Sequence, residues 1–199
     1  MNFLKNRKEE KINSVTHAFG AGYAFNSFLF SNSIEVIVYS LGVVLALSLS
    51  TLYHGTDEIK TKNYFRLLDM LSIHVLIAVT CCTYMIAHSS YLFCLLSVAV
   101  LIVSVIYTIK YYGTESFEKR NVLVYIMVAT ISSSCAFYVL LSQSSIGLSY
   151  FIYGILFYVS GLVFYVRDGI RWFHTIWHVF VLLGIYTHLN GVVNLVGST

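Results

Sequence analysis

Charged residues are scarce in this sequence, and proline is absent. Only 11% of the 199 residues are charged and 58% are hydrophobic, whereas a typical soluble domain is about one quarter charged. This scarcity argues against an ordinary soluble domain. Together with a mean hydropathy of +0.77, it favours a protein that crosses a membrane several times. The net charge of +3 is also too small and too dispersed to indicate a nucleic-acid-binding surface.

The N-terminus lacks the apolar core of a signal peptide. The stretch "MNFLKNRKEEKINS" is polar and charged, so we expect the first hydrophobic segment to remain in the protein as a transmembrane helix. The sequence also lacks a CxxC pair, and its four cysteines all lie in apolar segments. We interpret them as small buried side chains rather than as disulfide partners or metal ligands; they are Cys81, Cys82, Cys94 and Cys135.

Seven apolar segments approach or exceed the length of about 20 residues that a helix needs to cross a bilayer. They cover, approximately, residues 14–31, 34–54, 67–88, 91–109, 121–141, 147–166 and 172–196. All twelve Lys and Arg residues precede the first segment or follow the second, the fourth or the sixth, and the other connections contain none. Adding or removing one segment would destroy this partition, which therefore supports the segment count.

The same partition predicts a topology. Lys and Arg accumulate on the cytoplasmic side of membrane proteins, so we expect a cytoplasmic N-terminus and a C-terminus outside. The segments are joined without a long linker, a soluble domain or a clear internal repeat. The sequence therefore predicts an all-α membrane protein, a seven-transmembrane helix bundle that forms a single domain over residues 1–199.

Four polar residues lie at one predicted depth. His54 closes the second segment, Asp69 opens the third, and His174 and His178 open the seventh. At a rise of about 1.5 Å per residue, each lies within about 10 Å of the cytoplasmic boundary. Asp69 is the one carboxylate clearly inside a segment, and such a charge usually marks a functional site with a partner.

The spacing of these residues also predicts which way they face. Gly42, Ala46, Ser50 and His54 form a stripe with a period of four, and small residues at this spacing let membrane helices approach closely. We therefore expect the stripe to face the bundle. His174 and His178 share a helix face for the same reason of spacing.

Three histidines from two helices with a carboxylate nearby suit zinc, which binds neutral imidazole nitrogens and leaves one position open in catalytic sites. Asp69 is a candidate for a direct ligand, for holding the water on the metal, or for a general base. Other interpretations stay open at this point. The histidines of the seventh segment are also tolerated as interfacial residues, and Asp69 is also a candidate partner of Arg66 or a candidate cap of the third helix. His17 is a rival ligand, and Asn13 is a candidate cap of the first helix.

The motifs resemble the bacterial hemolysin III family, within the superfamily of progestin and adipoQ receptors. Four stretches carry the resemblance, in this order along nearly the whole chain: "EEKINSVTH", "SLSTLYH", "LLDMLSIH" and "FHTIWHVFVLLG". The resemblance implies a seven-helix bundle with a cytoplasmic N-terminus, inserted as a multi-pass protein in the bacterial plasma (inner) membrane.

The resemblance also implies a zinc ion bound by the histidines that match His54, His174 and His178. The family's aspartate matches Asp69, near the zinc and linked to it through water, and the family's serine matches Ser50. The long cytoplasmic extension of the eukaryotic receptors is absent from this sequence, which argues against a role as a hormone receptor.

The first motif of the family matches Glu10 and Asn13, with His17 following. The resemblance assigns no role to these three residues.

The leading hypothesis is a zinc-dependent membrane hydrolase that acts on a lipid, or a sensor built on the same site. The superfamily resembles alkaline ceramidases in its site pattern, which implies hydrolysis of a lipid amide with Asp69 as general base and Ser50 as hydrogen-bond donor. Its partners would be membrane lipids, including the substrate. The alternatives are a purely structural zinc, control of membrane lipid composition without catalysis, and a pore-forming cytolysin, as the family name implies. No segment carries the continuous polar stripe that lines a channel.

Overall fold

The computed structural model of the chain describes residues 7–143 and 145–197, except for the side chains of residues 118, 119 and 145. Lys5, one of the positive charges before the first segment, lies outside the described residues. The described residues form seven helices in the order α1 (Arg7–Phe30), α2 (Ile34–Gly55), α3 (Ile59–Ala87), α4 (Tyr91–Tyr111), α5 (Glu115–Gln143), α6 (Ser145–Tyr165) and α7 (Phe173–Gly197).

Six of the helices in this part of the chain, α2 to α7, are long and apolar enough to cross a membrane. They identify the chain as an integral membrane protein. α1 covers residues 14–30 of the predicted segment 14–31 but is less apolar, because its first two turns read "RKEEKIN". Its crossing of the membrane, and with it the orientation of the two termini, stays a prediction.

The helix α3 begins earlier than the apolar segment that predicted it, at Ile59 rather than near residue 67. The helical hydrogen bonds extend into the polar residues before the apolar segment because water can solvate their side chains. The Glu58 carboxylate accepts hydrogen bonds from the amides of Lys60 and Thr61, which are otherwise unpaired at a helix start. Hydrogen bonds from Thr61 and then from Lys60 lower the pKa of the Glu58 carboxyl. α1 and α5 likewise begin before their predicted segments.

The helix α7 is central to the packing, because it contacts α1, α2, α3 and α6, while α3 also packs against α4 and α5. The stripe of Gly42, Ala46, Ser50 and His54 is buried, as predicted. A Cβ added to Gly42 would lie 2.8 Å from Cγ1 of Val79 on α3. The small side chains therefore let α2 approach its neighbours closely. His54, at the end of the stripe, faces the interior of the bundle.

Large apolar side chains cover the outer surface of the bundle. Exposed examples on α4 and α5 include Leu92, Leu95, Val103, Ile106, Leu123 and Leu141. Such a surface is unfavourable in water and favourable against lipid chains. The distribution of exposed residues therefore agrees with the membrane location of these helices.

Gly161 allows close contact between α6 and α7, and this contact generates a prediction. A Cβ added to Gly161 would lie 2.6 Å from the Cβ of Phe180 and 2.8 Å from the ring of Trp177. The Cβ of Phe180 cannot move without its helix, so we expect Gly161→Ala to lower the free energy of unfolding by about 1–3 kcal/mol. Thermal unfolding of the protein in detergent measures this loss.

Gly22→Ala is the matched control, because nothing lies within 4 Å of the added methyl group. We expect its Tm to stay unchanged or to rise, since alanine favours the helix over glycine. An equal loss of stability in both variants would contradict the packing argument.

Candidate metal centre

Three histidines from two helices converge at one end of the bundle. His54 lies in the last turn of α2, and His174 and His178 lie in the first two turns of α7. One ligand atom from each histidine lies within 4.8 Å of those of the other two. The structure thus brings together the three residues that were selected from the sequence as candidate metal ligands.

The spacing of the ring nitrogens suits a metal ion. The Nε2 atoms of His54 and His174 are 3.3 Å apart. Two imidazole nitrogens that bind one zinc ion tetrahedrally, each at about 2.0–2.1 Å, lie about 3.3 Å from each other. His54 and His178 are almost completely buried. The three residues therefore fit a metal ion that prefers nitrogen ligands, and this arrangement is compatible with zinc.

Ser50 and Asp69 lie next to each other beside the histidines. The Ser50 hydroxyl lies beside the Asp69 carboxyl, and both residues line one cavity together with His174 and His178. Asp69 does not belong to the three-histidine cluster, so its position does not make it a direct ligand. It lies inside α3 and not at the start of that helix, so the alternative that it caps the helix is wrong.

The cavity beside the histidines has a volume of about 850 Å³. Ser50, Asp69 and two histidines of the cluster line it together with charged residues, among them Glu10, Lys62, Arg66 and Asp168. Apolar side chains form other parts of the wall, among them Leu47, Met70, Leu76, Trp177 and Val181. A cavity that combines polar groups with apolar side chains suits an amphiphilic molecule.

Glu10 of α1 contacts His54 of the cluster but does not belong to the cluster itself. Its Oε2 atom lies 3.3 Å from Nδ1 of His54 and 2.6 Å from Nζ of Lys62. Lys62 also donates hydrogen bonds to the backbone oxygens of Tyr53 and Thr56, at 3.1 and 3.2 Å. The three donors of the ammonium group therefore all have acceptors, and they connect Glu10 to the end of α2.

Two more polar residues of α1 contact the start of α7. The Glu9 carboxylate accepts a hydrogen bond from the backbone amide of Trp172 at 3.1 Å. Asn13 accepts one through Oδ1 from the hydroxyl of Thr175 at 2.6 Å, next to His174 in sequence. Asn13 lies inside α1, so the alternative that it caps this helix is wrong; its side chain instead links α1 to α7.

His17 lies against the cluster without belonging to it. Its ring stacks on that of His178, with a centroid distance of 3.7 Å and an interplanar angle of 12°. Both of its ring nitrogens are buried and have no hydrogen-bond partner among the described residues. The sequence suggested His17 as a rival ligand, whereas the structure places its ring face to face with a cluster member.

The sequence did not predict the contacts of Glu9, Glu10, Asn13 and His17. A signal was present, because residues 10, 13 and 17 follow the spacing of one helix face. That face is polar although much of the rest of the helix is apolar, so its side chains require polar partners. The identity of those partners does not follow from the spacing.

Two other buried histidines have structural contacts. Nε2 of His74 lies 3.0 Å from the Thr108 hydroxyl, and Nδ1 of His188 lies 3.4 Å from the Tyr84 hydroxyl. Both rings are buried and outside the cluster. The four cysteines are free thiols and do not belong to the cluster either.

Residues 5–189 match the family described as "Haemolysin-III related", so the match extends over almost the whole chain. It confirms the resemblance that the four sequence motifs indicated. A comparison with curated proteins finds no match.

The convergence of the histidines generates a second prediction. We expect the purified protein to contain about one divalent metal ion per chain, and the double variant His174→Ala and His178→Ala to contain none, because it keeps one of three ligands. Elemental analysis by mass spectrometry measures the metal content. His88→Ala, which removes an imidazole at the end of α3, is the control and keeps the metal. Equal metal content in all three proteins would show that the ion binds elsewhere.

Proposed function

The chain belongs to the haemolysin-III related family, and we propose that it is a zinc-dependent membrane hydrolase that cleaves an amide bond of a lipid. The observation that carries the proposal is the position of the histidine cluster. It borders a cavity that combines the Asp69 carboxylate, the Ser50 hydroxyl and other polar groups with apolar side chains.

The proposal includes a location. We place the protein in the bacterial plasma membrane, with α1 as a seventh crossing helix and with the histidines near the cytoplasmic face. α1 has 24 residues, which at about 1.5 Å per residue gives a length near 36 Å, and it packs along α2 and α7. All Lys and Arg residues then fall on the cytoplasmic side, as the positive-inside rule requires.

His54, His174 and His178 would hold the zinc ion. When bound in such a site, zinc acts as a Lewis acid and makes hydroxide available near neutral pH, because it lowers the pKa of water to about 7. The histidine nitrogens at the cavity wall therefore determine where an amide carbonyl has to lie for reaction.

Asp69 and Ser50 supply the proton chemistry in this proposal. The Asp69 carboxylate accepts the proton of the attacking water and passes it to the nitrogen of the leaving amine, so that an amide and water become a fatty acid and an amine. The Ser50 hydroxyl, which lies beside this carboxylate, helps to hold it in place. The apolar side chains of the cavity position the acyl chain of the lipid, which brings the amide to Asp69 and the histidines.

A structural metal centre is the second candidate, and one observation favours it. The three histidines come from the ends of two different helices, so a bound ion also joins α2 to α7. In that case loss of the metal lowers stability and no lipid is consumed. Lipid turnover by the purified protein separates the two candidates.

Substitution of Asp69 generates the third prediction. We expect Asp69→Asn to keep the metal and to lower kcat for release of fatty acid by about 10²- to 10⁴-fold, because the amide side chain cannot accept the proton. The substrate is a bacterial lipid extract supplemented with N-acylated lipids in detergent micelles, and mass spectrometry measures the released fatty acid.

Glu35→Gln is the matched control, because this carboxylate accepts a hydrogen bond from Ser33 near the other end of α2 and does not line the cavity. It should hydrolyse lipid at the rate of the unsubstituted protein. Absence of hydrolysis by a metal-loaded protein would favour the structural centre. Ion flux through reconstituted vesicles that survives loss of the histidines would instead favour a pore.

A further inference from the structure

We propose that Glu10 is a positioning residue of the metal centre, and that the polar face of α1 aligns the two helices that supply the histidines. This inference rests on the proposed metal site and concerns how that site is held in shape. It assigns a role to the first motif of the sequence, for which the family resemblance supplies none.

The first step is the orientation of His54. A carboxylate accepts hydrogen bonds and does not donate them. The contact of 3.3 Å between Oε2 of Glu10 and Nδ1 of His54 therefore requires the proton on Nδ1. Nε2 then has a free lone pair, and this is the atom that lies 3.3 Å from Nε2 of His174. Glu10 thus selects the tautomer of His54 that presents a ligand atom to the cluster.

The second step is the fixation of Glu10 itself. Lys62 lies 2.6 Å from the same carboxylate oxygen, a distance typical of a charge-assisted hydrogen bond. Its further bonds to the backbone oxygens of Tyr53 and Thr56 attach it on both sides of His54. The carboxylate is therefore held by the same turn of α2 that carries the histidine it orients.

The third step is the position of α7 relative to α2. α1 carries Asn13 one turn after Glu10, and Asn13 accepts a hydrogen bond from Thr175, the neighbour of His174. His17, one further turn along, stacks on His178. A single helix face thus contacts His54 directly, His178 directly and His174 through the next residue.

Glu9 adds a contact at the start of α7. Trp172 has a φ of +69°, in the left-handed region that non-glycine residues rarely adopt. The Glu9 carboxylate accepts a hydrogen bond from its amide. This bond stabilises the turn that leads into the two histidines of α7.

Substitution of Glu10 is the fourth prediction. Loss of an outer partner of a ligating histidine typically weakens metal binding by about 10- to 100-fold. We expect Glu10→Gln to weaken binding of Zn²⁺ by this factor, because glutamine loses the charge that pairs with Lys62 and can donate to Nδ1 of His54, which favours the wrong tautomer. Competition with a chelator measures the affinity of purified protein in detergent.

One further readout and a control variant distinguish positioning from a general loss of structure. The visible spectrum of the Co²⁺-loaded protein reports ligand geometry, and we expect its bands to shift in Glu10→Gln. Glu35→Gln is the matched control, because Glu35 lies at the opposite end of α2 and bonds to Ser33; it should keep both the affinity and the spectrum. Unchanged affinity and spectrum in Glu10→Gln would overturn the inference.

If Glu10→Gln does not fold, Lys62→Met tests the positioning role of Glu10 instead. It removes the ammonium that holds Glu10 while leaving the carboxylate in place, and we expect weaker Zn²⁺ binding; affinity equal to that of the unsubstituted protein would overturn the inference. The unsubstituted protein separates this result from the proposed function. If it binds no Zn²⁺, the metal site itself fails, and if it binds Zn²⁺ without lipid hydrolysis, only the proposed catalysis fails.

Discussion

The helix ends that carry His54 and His174 meet at one end of the bundle, and the 3.3 Å between their Nε2 atoms depends on that meeting. Imidazole side chains are short, so a shift of either helix by a fraction of a turn would separate the nitrogens. The close approach of α2 to its neighbours through Gly42 and Ala46 and the central position of α7 set the distance. The cavity beside Ser50 and Asp69 follows from the same convergence, because both residues lie on the helices that surround it.

The helix α1 connects this geometry to the rest of the chain. Its polar residues would be costly in an apolar environment without partners, and the structure supplies a partner to several of them on α2, on α7 or on Lys62. The polar residues that make α1 less apolar than the other helices therefore link the two helices that carry the histidines. His17 is the exception, since its nitrogens lack partners among the described residues and its ring contact is with His178.

Much of the candidate site follows from local rules. His174 and His178 share a face because they are one turn apart, and the stripe that ends at His54 faces the interior because its members are small. Connections with and without positive charges alternate along the chain, and this pattern predicted that these residues and Asp69 lie at one depth in the membrane. The alternative role of Asn13 was wrong because it depended on where the helix begins, and the sequence did not predict that the His17 ring stacks on that of His178. Asn13 was a candidate cap, but its helix begins earlier, and its partner Thr175 lies 162 residues away in the chain.

Composition and the lengths of the apolar segments were sufficient to predict the class of protein and its apolar helices, and the resemblance of four motifs indicated the family. These properties depend on the geometry within one helix, which the backbone hydrogen bonds fix. The packed helices were needed to show that the nitrogens of three histidines converge, that Asp69 lies beside Ser50 and outside the cluster, and that Glu10 contacts His54. Those contacts depend on the rotation and tilt of each helix about its axis, and packing against several neighbours at once sets these quantities.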